Sequence, residues 1–262
     1  MLSLTHKLLF VVVPALQLAL VISSSNDGPC EITKRPKISE KKETARWMMH
    51  SIEWGVVSTI STRDNLEGVP FGNVYSFVDG TCDNSTGVPY LYTTELDQTA
   101  LDATENPRVS LTISEKSIEE KGTFLEHACE TSADGWGDPE MPPCARLVVT
   151  GEFQRVDDEV EMEFATNALF QRHPSMRYWP TGHEFFVAKI VIQNLWLIDI
   201  FGGASIIDVE EYFQTELEPT EKTKKKDVSL MSSSLRIGGN FAKDNILWVK
   251  GYRWILSLLN FR

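Results

Sequence analysis

The chain has 262 residues, with 25 Lys and Arg against 37 Asp and Glu, a net charge of −12. Its 42% hydrophobic content supports a packed core, and its length suits one large domain or two small ones. Residues 44–217 hold 10 basic and 29 acidic side chains, a net of −19, which repels nucleic-acid backbones and anionic lipid surfaces. The sequence contains no P-loop, GxGxxG, HExxH, CxxC or GxSxG, which argues against P-loop ATPases, Rossmann enzymes, zincins, zinc fingers and α/β-hydrolases.

The N-terminus reads as a signal peptide over residues 1–23. Lys7 supplies the positive end, Leu8 to Ile22 is apolar, and Val21 with Ser23 suits cleavage after Ser23. The apolar run of 15 residues falls short of the roughly 20 needed to span a bilayer, so no stable membrane insertion is expected. Secretion places the mature chain where cysteines pair. Cys129 and Cys144 flank a Gly-, Pro- and Asp-rich loop and form the preferred bridge. Four cysteines allow three pairings, and Cys30 and Cys82 are then left to each other or free. Asn84-Ser85-Thr86 is a glycosylation sequon in a turn-rich loop.

Residues 24–43 are polar and Lys-rich, a flexible leader before a domain over 44–217. Ala45, Met48, Met49 and Ile52 share one face of a short helix. Strands are expected at Trp54–Ser61 and Phe71–Val78, joined as a hairpin, and at Pro89–Thr94. A helix from Leu96 to Glu105 ends at Asn106, before Pro107. Val109, Leu111 and Ile113 alternate with polar residues as a half-buried strand. An insertion over 115–143 carries the disulfide loop, and a strand follows over 145–154. Asp157 caps a helix with Val160, Phe164 and Ala168 on one face, stopped by His173-Pro174. Two apolar strands close the domain, 185–192 and 195–200.

Six or seven strands with three short helices and no βα alternation predict a mainly β fold, an antiparallel barrel with peripheral helices. Residues 218–262 are a charged linker and an atypical, poorly ordered tail. Its apolar stretch, Ile246 to Phe261, is too short and too charged for a transmembrane helix.

The run RHPSMRYWPTGHEFFVAKIVIQNLWLIDIFGG, from Arg172 to Gly203, resembles the CREG family of secreted repressor glycoproteins. Trp54-Gly55, Ser58 to Thr62, Gly87 to Tyr90, Glu105-Asn106-Pro107, Leu169-Phe170 and Glu210-Glu211-Tyr212 extend the resemblance over Ala45 to Tyr212. It implies a six-stranded antiparallel split β-barrel like that of the pyridoxamine-phosphate oxidases, which hold flavin mononucleotide (FMN) at a homodimer interface. It further implies a homodimer without flavin or oxidase activity, secreted or lysosomal, linked to growth restraint and differentiation. A mannose 6-phosphate receptor is the implied protein partner. Positions where vertebrate members carry other sequons read Val156-Asp157-Asp158, Ile192-Gln193-Asn194 and Phe213-Gln214-Thr215, so glycan-dependent uptake rests on Asn84 alone.

The residues themselves also argue against flavin. A flavin phosphate wants Arg, Lys or a helix N-terminus, but between Val57 and Ser114 only Arg63 and Arg108 are basic. Flavin-binding relatives place a His and an Asn in the helix after the third strand, where this chain reads Thr94-Glu95-Leu96-Asp97-Gln98-Thr99. Thr94, Thr99 and Arg108 are the best remaining flavin contacts, with Thr94 equally suited to cap the helix. No cofactor, catalytic residue or metal site is expected. The alternative function is an FMN-dependent oxidoreductase. His50 is read as structural or exposed, and His127 lies in the insertion. His173 and His183 are expected to hydrogen-bond loop backbone, and Trp179, Phe185, Phe186 and Trp196 to pack in the core. Gly202-Gly203 suits a tight turn. The proposed dimer face comprises Val109, Leu111, Ile113, Val187 and Val191.

Overall fold

The computed structural model describes residues 28, 30–118, 128–131, 133, 135 and 137–217. The signal segment, residues 24–27 of the leader, His127 and the tail beyond Leu217 lie outside them. In chain order the elements are α1 (Lys41–Ser51), β1 (Trp54–Ile60), β2 (Pro70–Thr81), β3 (Asn84–Thr93), α2 (Gln98–Glu105), β4 (Arg108–Ser114), β5 (Arg146–Arg155), α3 (Glu159–Arg172), β6 (Phe186–Ile198), β7 (Ser205–Ile207) and α4 (Val209–Gln214).

The strands run in the order β3-β2-β1-β4-β5-β6-β7, every described pair antiparallel, and β3 pairs with β6 to close a six-stranded barrel. Closure uses one end of β6. Residues 186–189 pair with β3, while Leu195 to Leu197 pair with β7 instead. The two strands expected at 185–192 and 195–200 are thus one long strand. The irregularity between them is a register shift against β5 at Thr150/Gly151, which bends the strand without ending it. Strand β7 and α4 went unread because three and six residues are too short for a periodic signal.

Alternation sends one face of each strand inward. Val57, Phe77, Leu91, Leu111, Leu147 and Ile190 meet there at no exposure, and α1 adds Ala45, Met48, Met49 and Ile52 to the same cluster. This face corrects the proposed dimer surface. Val109, Leu111 and Ile113 are only 3%, 0% and 1% exposed and fill the barrel, and Val187 is buried beneath α3, while Val191 alone of the five is exposed, at 42%. The opposite face of the same strands carries the outward residues. Trp54 (47% exposed), Val74 (63%) and Ile206 (64%) point outward, with Val56, Val148 and Trp196 half-buried. Strand register runs them across the sheet, because Val56 faces Val74 and Thr112, Thr112 faces Val148, Val148 faces Trp196, and Trp196 faces Ile206.

Helix α3 covers β2 and β3 with Ala165, Ala168 and Leu169. Its cap is Asp158, not Asp157, accepting from the Glu161 N–H at 2.8 Å. The buried face is Ala165, Ala168, Leu169 and Arg172, which leaves Val160 in solvent. Both disulfides form, Cys30–Cys82 and Cys129–Cys144. The first answers the pairing left open above and bears on the leader. Over residues 30–40 that segment is strapped to the barrel rather than flexible. Arg35 is buried in an ion pair with Glu115 (3.0 Å), and Trp47 Nε1 donates to the Thr33 carbonyl at 2.9 Å. Polar composition hid this because one buried arginine, with its partner 80 residues away, has no local signature. Gly87 shows where backbone approach requires glycine. Its φ is +79°, and a Cβ there would lie 1.6 Å from Arg46 Nη1.

Candidate functional site

Where β2, β3 and the start of α2 meet, a cavity of about 220 Å³ opens beside the barrel. Strand β2 lines it with Val74, Tyr75 and Ser76, β3 with Tyr92 and Thr93, and the connection to α2 with Thr94 and Asp97. Met176, Trp179 and Phe185 come from the segment between α3 and β6 and complete the wall. The aromatic side is one packed unit. Tyr92 and Phe185 stack at 4.9 Å with 17° between planes, and Trp179 lies 5.8 and 5.3 Å from them. Glu184, in the left-handed region at φ +49°, turns the chain just before Phe185. Trp179 is 38% exposed, so it and Phe185 form cavity wall rather than the core expected for them.

The polar side is organised by Asp97. It caps α2, its Oδ1 accepting from the Thr99 N–H (2.8 Å) and the Tyr75 hydroxyl (2.6 Å), while Oδ2 accepts from Asn73 Nδ2 at 3.2 Å. Burial, together with the adjoining Asp97 carboxylate, pushes the Tyr75 phenol well above its ordinary value, so it remains a donor. The Thr93 hydroxyl lies 2.9 Å from Tyr75 Oη.

A flavin phosphate does not fit this arrangement. Among the described lining residues none is Lys, Arg or His, and the α2 N-terminus is already occupied by the chain's own carboxylate. Arg155 stacks on Phe186 at 4.3 Å and pairs with Glu95 at 3.6 Å. Of the three residues singled out for flavin, Thr94 alone lines the cavity. It donates its hydroxyl to the His183 carbonyl, so it does not cap the helix. Thr99 is buried and accepts from Asn73 at 3.1 Å. Arg108 is exposed and donates to Asn106 at 3.2 Å. The acids between Thr94 and Thr99 already oppose a phosphate in the sequence, and Asp97, directly before Gln98 at the start of α2, is also a legible capping signal.

Elsewhere, Asp79 gathers a buried cluster. His50 Nδ1 lies 2.7 Å from its Oδ1, Arg172 Nη1 3.4 Å away, and the Ser85 hydroxyl donates to Oδ2. These include the residue types of a Ser-His-Asp triad, but the carboxylate sits between serine and histidine, so no imidazole faces the hydroxyl. The cluster is a lock joining α1, the β2–β3 hairpin and α3, where Arg172 Nη2 also donates to the His50 carbonyl at 2.7 Å. His173 Nε2 meets the Phe77 carbonyl at 3.1 Å, as expected. His183 anchors the loop through its carbonyl, while its ring stacks on Phe185 at 5.9 Å. Phe186 and Trp196 are half-buried rather than core. Asn84 begins β3 with its side chain exposed, and Gly202 and Gly203 turn at φ +119° and +113°. Among the described residues no group of three His, Cys, Asp or Glu is placed to hold a metal, and no helix is long and apolar enough to cross a membrane.

Comparison with known proteins completes the picture. The family described as CREG, beta-barrel matches residues 36–214. Human protein CREG2 is 42% identical over 171 residues, covering 65% of this chain and 55% of that protein. Mouse protein CREG1 is 33% identical over 214 residues, covering 78% of this chain and 92% of that protein. The matched part thus spans nearly all of the CREG1 relative and less than two thirds of CREG2. A solved heme-binding protein from Mycobacterium smegmatis shares the fold at TM-score 0.50 and 19% identity, over 72% of this chain and 64% of that one. Barrel topology, the length of the match and the level of identity agree: the chain belongs to the CREG β-barrel family.

Proposed function

We propose that this chain is a secreted or lysosomal glycoprotein without enzymatic activity, acting as a homodimer that binds another protein in growth restraint or differentiation. The observation that carries this reading is Asp97, which occupies the helix N-terminus where a flavin phosphate would need positive charge. The absence of a cation at that helix start supports a barrel that does not hold flavin mononucleotide, on which an oxidoreductase of this fold depends. Two disulfides suit folding in an oxidising compartment, and the exposed Asn84 side chain is available to carry a glycan. A mannose 6-phosphate receptor is the proposed route to lysosomes, with that glycan as its ligand. The outward belt of Trp54, Val74, Val148, Trp196 and Ile206 is the proposed dimer face, because pairing two copies removes it from water.

Absorption and thermal melting of the secreted protein test the flavin part. The expected protein is colourless, and its Tm does not move with added flavin mononucleotide. A ligand at 100 times its Kd contributes about 2.7 kcal/mol, a shift that melting resolves. A yellow protein, or a clear shift with a flavin-dependent reductase rate, would establish the oxidoreductase instead.

A further inference from the structure

The same cavity has a positive chemical character of its own. Trp179, 38% exposed, completes the wall beside the stacked pair of Tyr92 and Phe185, and the face of an aromatic ring attracts cations through its negative quadrupole. The Asp97 carboxylate lines the same cavity. Oδ1 is saturated by the Tyr75 hydroxyl and the Thr99 N–H, whereas Oδ2 has only the 3.2 Å bond from Asn73 and keeps accepting capacity. No described lining residue is basic, so an ammonium group meets no like charge there, while a phosphate or carboxylate meets Asp97. The volume of about 220 Å³ lies below the roughly 300–1,000 Å³ of drug-sized pockets and admits a small molecule.

We propose that this cavity binds a small arylalkylamine in its ammonium form, its ring against Trp179 and its nitrogen directed to Asp97. The inference rests on the reading above that the site rejects flavin phosphate. The apolar lining from Met176 accommodates the body of such a ligand, and the aromatic wall favours a ring over a plain alkyl chain.

The test is calorimetric titration of the full secreted protein with four probes. Phenethylammonium is expected to bind saturably. Phenethyl alcohol, the same shape without charge, and butylammonium, the same charge without a ring, are each expected to bind at least about tenfold more weakly. Flavin mononucleotide is expected not to bind. Asp97→Asn keeps a capping residue and removes the charge, so amine and alcohol should then bind alike. Trp179→Ala, at a partly exposed position, should weaken phenethylammonium about tenfold. This second variant keeps the test decisive if Asp97→Asn fails to fold. No saturable heat with phenethylammonium, equal binding of the alcohol or of butylammonium by wild type, or unchanged amine affinity in Trp179→Ala overturns the proposal. If neither amine nor flavin binds, only this inference falls; if flavin binds, the reading beneath it falls as well.

Discussion

His173 shows how one buried side chain couples this fold to pH. Burial lowers its pKa below the ordinary 6.5, partly offset by its bond to the Phe77 carbonyl and the charge of Glu53, while Arg172 lowers it further. The folded protein therefore keeps the ring neutral after the unfolded chain has begun to protonate. A depressed folded pKa gives stability that is complete above the unfolded value of 6.5 and is lost as pH falls toward the folded one. Asp79 acts lower on the scale. Burial works to raise its pKa, but His50, Arg172 and Ser85 outweigh it and hold the carboxyl below 3.8, so its contribution disappears only in stronger acid. Melting between about pH 7 and pH 5 separates the two effects, since Asp79 stays ionised throughout. His173→Gln, which can still donate to the Phe77 carbonyl, is expected to lose less Tm across that interval than wild type. An equal loss in both proteins would assign the acid sensitivity to other groups.

At the scale of elements, the strap over residues 30–40 is the feature most exposed to test. Arg35 and Glu115 are both nearly inaccessible, and burial raises the Glu115 pKa despite the opposing charge of Arg35. Removing one partner leaves the other charge buried and alone, a change that costs about 3–5 kcal/mol. Arg35→Leu is expected to destabilise the protein by about that amount in urea denaturation. The paired change Arg35→Leu with Glu115→Leu should recover most of it, because two apolar side chains replace the whole ion pair. Failure of the double variant to recover would mean that the arginine contributes through packing of the strap rather than through charge. The strap is also tied by Cys30–Cys82 and by Lys41, which reaches Asp199 at 2.5 Å, so an isolated loss at Arg35 is expected to loosen the strap without releasing it.

For the molecule as a whole, closing the barrel creates an outside as well as an inside. The inward faces of β1, β4 and β5 share one core, and the same alternation places Trp54, Val56, Val148 and Trp196 on the outer face. Water contact with such a belt is unfavourable at about 25 cal/mol per Å² of apolar surface, which is the driving force for the proposed pairing. Light scattering on the secreted protein is expected to report twice the chain mass. Trp54→Glu combined with Val74→Glu places two charges on adjacent outward strands and should yield a monomer with a near-unchanged Tm at high dilution. A protein that remains dimeric with both charges would move the interface elsewhere.

Much of the architecture was legible from residue order alone, because its signals are local. Alternation marked β4, the spacing of Ala45, Met48, Met49 and Ile52 marked the buried side of α1, and the Cys129–Cys144 loop announced its own closure. The family text from Arg172 to Gly203 supplied the barrel. Period-two patterning says that a strand has two faces, yet not which one a closed barrel turns inward. Val109, Leu111 and Ile113 therefore suit a dimer face as well as a core by pattern alone, and the closure of β3 on β6 makes them core. The aromatic wall was hidden for the same reason, since Tyr92 and Phe185 are far apart in the chain and become neighbours only through that pairing. Arg35 with Glu115 and Asp79 with Arg172 are separated by 80 and 93 residues. Side-chain propensities and turn chemistry act over a few residues, so the sequence by itself determined the elements and their order. Which apolar face is covered and which charges are buried together were decided only when distant strands closed on one another.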